Sequence, residues 1–237
     1  SSIAIGYKSV ANSSYSLAQG YQSYANGTAS IAMGYQAKAC GRNALNIRTG
    51  KIEEGPSISI GIKTTSSGPN SIAIGGYSDA SNNGSIALGS YVTASSHLAT
   101  AIGTWAMANA TSSIAIGTRA VANARLSISI GQDTNAAGIA SVAIGYRSKA
   151  KSHGETVLGI YNTEYTPISD AGSRAKDRLF VIGNGEENER SDALVMLKNA
   201  FTTLHGSMNI VGSLNVKGGL KIGNYKFPTL GNTEGKI

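Results

Sequence analysis

The chain has 237 residues, 30 of them glycine and only 14% charged, and three Phe with one Trp cannot supply a conventional aromatic core. One cysteine, Cys40, excludes an intramolecular disulfide framework, and no apolar run reaches the length of a membrane span, so no membrane insertion by this segment is expected. The net charge of +7 rests on residues 1–159, where 11 Lys/Arg face 5 Asp/Glu, yet no basic cluster with interleaved aromatics points to nucleic acid.

From Ser1 onward one pattern recurs. Its glycines are Gly6, Gly20, Gly34, Gly61, Gly75, Gly89, Gly103, Gly117, Gly131, Gly145 and Gly159. Every interval is 14 residues except Gly34 to Gly61, which hides a degenerate coil centred on residues 44–48, so twelve coils are expected. Before each glycine the apolar residues alternate as in a strand, and an alanine five residues after it marks a second, shorter strand in nine coils. Two strands and two turns account for 14 residues, so stacked coils predict two parallel sheets around a thin core.

The positions one and three before the glycine, such as Ile5, Ile74, Ile116 and Ile144, are expected to face inside the roll. The position between them is uncharged and mostly small: Ala4, Ala18, Ala32, Ala73, Ala87, Ala101, Ala115 and Ala143, with Ser59 and Ser129 and otherwise Asn46 and Val157. By alternation this alanine column is expected to face away from the core and pack against another chain. A serine column one step earlier suits ladder or turn hydrogen bonds.

The run from Ser30 to Gly41, SIAMGYQAKACG, resembles the repeats of the YadA-like head of trimeric autotransporter adhesins, and the resemblance covers residues 1–159. It implies an all-β, left-handed parallel β-roll or β-solenoid, associated as a homotrimer around a threefold axis. The stretches 154–167, 177–185 and 190–199 resemble the block that follows such rolls in bacterial and phage tail-fibre-like proteins.

Residues 160–200 are expected to form a cap and connector with a β-hairpin. From 201 to 224 four hexads, with apolar residues at positions two and four, suit a triple-stranded β-shaft, and 225–237 reads as a connector. Ser1 starts and Ile237 ends in mid-pattern, as in a piece of a longer protein.

No nucleophile motif, phosphate loop or metal-ligand spacing occurs, so neither an enzyme nor a cofactor is expected. His205 could meet its copies on a threefold axis, although an ordinary surface side chain is the simpler expectation. Ligand contacts are expected first in the irregular coil, at Arg42, Arg48 and Lys51, and second at Tyr7, Tyr21 and Tyr35, which follow the repeat glycine in consecutive coils. The combined expectation is a structural and adhesive segment of a homotrimeric tail fibre that presents a surface to a cell receptor or glycan. The alternative is a cell-surface adhesin binding host matrix or glycan. Both are extracellular.

Overall fold

The computed structural model describes residues 1–47, 50–52, 55–217, 220–223 and 225–227. It divides into two units, Ser1–His205 and Gly206–Ile237.

The first unit is a parallel β-solenoid. One sheet has fifteen strands, twelve of which belong to coils, and the other has eleven, one from each complete coil. Registers step by one repeat: Ala73 pairs with Ala87, Ala87 with Ala101, and Gly75 with Gly89. In the irregular coil, Leu45 pairs with Ile31 fourteen residues earlier but with Ile58 thirteen residues later. Ile47 still pairs with Met33 fourteen residues earlier, whereas Lys51 pairs with Lys38 thirteen residues earlier, so the spacing shortens by one residue between Ile47 and Lys51.

Each coil turns at two corners where the backbone is left-handed. One lies two residues after the glycine, at Tyr77, Tyr91, Trp105 and Arg119, with φ of 54–58°. The other lies nine residues after it, at Leu98, Ser112 and Leu126. Such conformations cost an L-residue about 1 kcal/mol or more. They persist because the same residues carry the ladder: Trp105 N–H donates to Ser90 O at 3.0 Å and Arg119 N–H to Thr104 O at 2.9 Å. The serine column closes the second corner, as where Ser85 Oγ donates to Asn82 O at 2.6 Å.

The facing of the columns is the reverse of that expected. Ala18, Ala32, Ala73, Ala87, Ala101, Ala115 and Ala143 are all 0% exposed inside the chain's own core, where they meet the alanines of the second sheet. Only Ala4, in the first coil, is exposed. The isoleucines point outward: Ile72 and Ile116 are half-buried, and Ile74 is 36% exposed. A coil with a two-residue second strand and two tight corners brings its sheets too close for branched four-carbon side chains. Among the described residues, the largest fully buried hydrophobic side chains are the valines Val92, Val157 and Val181. The outward facing also explains Gln19, which stands at an isoleucine position and is exposed.

Where a serine replaces the inward alanine, a threonine faces it. Ser59 Oγ and Thr64 Oγ1 lie 2.6 Å apart, and Ser129 Oγ donates to Thr134 Oγ1 at 2.8 Å. Each buried hydroxyl thereby finds a partner.

The roll's far end is finished by side chains. Asn162 places its amide where the next short strand would lie: Lys149 N–H donates to Oδ1 at 2.8 Å and Nδ2 donates to Lys149 O at 3.1 Å. Lys151 and Ser152 N–H both donate to Glu155 Oε2, at 2.7 and 2.9 Å. The longer sheet continues instead. Arg178–Asn184 adds in parallel to Thr156–Ile160, Asp192–Leu197 adds antiparallel, and Thr202–Leu204, from the first hexad, adds antiparallel again.

In the second unit Leu220–Ile222 and Tyr225–Phe227 form an antiparallel pair. Residues 207–217 are exposed and carry no strand. Part of the third and fourth hexads and Pro228 lie outside the described residues.

Candidate functional site

Three surfaces of the roll carry side chains that its own fold does not consume. The first is the outer face of the longer sheet, where the isoleucine columns stack coil on coil through paired Ile72, Ile86 and Thr100, then Ile114 and Ile128. This is a continuous, half-exposed apolar ladder. Exposed apolar patches of this extent mark contact surfaces.

The second is a corner lined with aromatic residues. Tyr7, Tyr21 and Tyr35 stack at 5.1 and 5.2 Å between ring centroids, with interplanar angles of 17° and 4°, and all three are exposed. Lys8 Nζ sits 5.3 Å from the Tyr7 ring. The ring faces are turned toward one another, so the ladder offers mainly its rim to a ligand.

A third surface was not singled out from the sequence. Tyr77, Tyr91 and Trp105 stack at 4.6 and 4.2 Å, with Lys63 Nζ 5.0 Å from the Tyr77 ring. With Thr93, Met107, Arg119 and Val121 they line a groove of about 540 Å³. The signal was present as three aromatics two residues after consecutive repeat glycines. Below them Arg119 forms a two-pronged ion pair with Asp133, and Arg147 reaches Glu187 at 2.7 Å. Hydrogen bonding from Arg119 holds the Asp133 carboxyl below the usual range against partial desolvation.

Of the residues expected in the irregular coil, Arg42 is exposed. Arg48 lies outside the described residues, and Lys51 lies in the strand Gly50–Ile52, whose side chains are not described. The expected contact at Arg48 and Lys51 therefore lies outside the described residues and side chains. His205 is exposed, and its N–H donates to Ala193 O. Among the described residues no group of His, Cys, Asp or Glu is arranged to hold a metal ion, and no helix is long and apolar enough to cross a membrane.

The roll is thus a parallel solenoid with a small-residue core, an apolar ladder turned outward and left-handed corners. The YadA head domain repeat matches residues 1–23, 11–37, 25–44, 57–78, 66–91, 94–120 and 122–148, together more than half of the chain, and the chain belongs to that family. The family is structural, and its heads are surface-exposed, extracellular and adhesive. No curated protein matches the chain.

Proposed function

We propose that this chain is the structural and adhesive segment of a homotrimeric fibre, in which three rolls bury their isoleucine ladders against one another and project a receptor-binding surface. The observation that supports this most is the outward ladder of Ile72, Ile86, Ile114 and Ile128, which one chain leaves half-exposed over the length of the roll. Burying a half-exposed isoleucine stabilises by about 1 kcal/mol, and the ladder repeats this coil after coil. Heads of this family form trimers, which would cover that face.

The finer reading is a tail fibre of a phage or phage-derived injection system, supported by the block that follows the roll. There the sheet continues through Arg178–Asn184 and Asp192–Leu197. The family match itself favours a second reading, a cell-surface adhesin that binds host matrix or glycan. Purified trimer applied to bacterial cells and, separately, to host matrix and a glycan array distinguishes them. Retention on bacteria supports the tail fibre, and retention on matrix or host glycan supports the adhesin. Sedimentation of a stable folded monomer overturns both.

A further inference from the structure

The joint between the roll and the strands that follow contains a buried carboxylate in an unusual place. Glu155 occupies the position that serine fills in most other coils, and it is 0% exposed. Its Oε2 accepts from the Lys151 and Ser152 N–H groups. Among the described residues Oε1 has no hydrogen-bond partner.

The cations around it are engaged elsewhere. Lys198 Nζ donates to Ser152 Oγ at 3.1 Å, and the Arg178 guanidinium donates to Thr163 and Asp192. The Tyr165 hydroxyl accepts from Arg178 N–H, and Asp177 accepts from the Ile168 and Ser169 N–H groups. His153, on the adjoining turn, lines a cleft with Lys198 and Leu179. A carboxylate desolvated on one oxygen, with no cation bonded to it, binds a proton more readily than one in water.

We propose that Glu155 is a proton-operated latch at this joint: it takes up a proton when the joint is closed, so that mild acid tightens the docking of Tyr165 and Arg178–Asn184 onto the last coil. Desolvation raises the Glu155 pKa above 4.5, and the two backbone N–H groups, Arg178 and Lys198 oppose it only in part. For an acid whose folded pKa is raised, the closed state binds more protons than the open one. Closure therefore strengthens as pH falls through the raised value and levels off below 4.5.

Hydrogen exchange of the whole chain, read by mass spectrometry at steps from pH 7.5 down to 4.5 and corrected for intrinsic rates, tests this. Protection of the segments holding Lys151, Ser152 and Arg178–Asn184 should rise within this range as pH falls, by up to about tenfold per pH unit, while the coils around Ala101 stay unchanged. Glu155→Gln keeps an acceptor for the two N–H groups and carries no charge, so it should show the high protection throughout the range. PH-independent protection in the native chain overturns the latch. So does a pH response that survives in Glu155→Gln, which would assign the proton to another group.

Discussion

Glycine recurs every 14 residues for two physical reasons that act together at one atom. Gly103 has φ of +130°, which L side chains avoid, and a Cβ there would overlap the carbonyl oxygen of Gly117 in the next coil. Gly76 has neither constraint, because a Cβ there meets nothing within 4 Å. Gly103→Ala should therefore destabilise the roll by about 3 kcal/mol or more, and Gly76→Ala should be neutral or stabilising by up to about 1 kcal/mol. Thermal unfolding of the two variants checks the contrast. The buried hydroxyl pair gives a second test at this scale. Ser129→Ala strands Thr134 Oγ1 and should cost about 1–3 kcal/mol, whereas Ser129→Ala with Thr134→Val should recover most of it. Equal losses in the single and double variants would mean that the hydroxyls do not depend on each other.

Among the elements, the ends of the two sheets are treated differently. The shorter sheet stops where Asn162 satisfies the backbone groups of Lys149 in its last strand and Glu155 those of Lys151 and Ser152 in the turn that follows, while the longer sheet is extended by three further strands. Asn162→Ala should free Lys149 N–H and C=O and cost about 1–2 kcal/mol, seen first as faster exchange at Lys149 and Ala150 rather than in the middle of the roll. Glu164 fastens the same end. Although desolvation raises its pKa, hydrogen bonds and charge from Lys149 and Lys151 outweigh that and hold it to about 2. An acid with a depressed folded pKa stabilises above about 4.5 and loses this as pH falls toward 2, the opposite sign to Glu155. The pair is half-exposed, so the loss in strong acid should be small, well under about 1 kcal/mol. Exchange at Tyr161–Tyr165 below pH 4 measures it.

For the whole molecule, the surface that matters is the one the roll cannot cover. Ile116→Arg places a charge in the outward ladder and should abolish the proposed trimer with little effect on the single roll, because Ile116 is not part of the chain's own core. Ala115→Arg, one residue away, should prevent the roll from folding at all, because that side chain points into a core whose largest fully buried apolar side chains, among the described residues, are valines. Sedimentation with circular dichroism separates the outcomes: a folded monomer for the first variant and an unfolded chain for the second. A trimer that survives Ile116→Arg would place the interface elsewhere.

The sequence by itself determined the period, the two strands of each coil, the glycine corner, the short thirteen-residue coil and the family, because each is a local requirement repeated about twelve times. Alternation also determined that the isoleucines share one face and the alanines the opposite one. It is silent on which face is inside, since a period of two is unchanged when inside and outside are exchanged. Hydrophobicity argued for isoleucine inside, and the tertiary structure reversed it, because two tight corners set the sheets so close that, among the described residues, alanine, serine, threonine, valine and the asparagine Asn46 fill the space between them. The groove beside Trp105 and the side-chain plug at Asn162 and Glu155 likewise depended on which coil stacks on which and where the stacking stops.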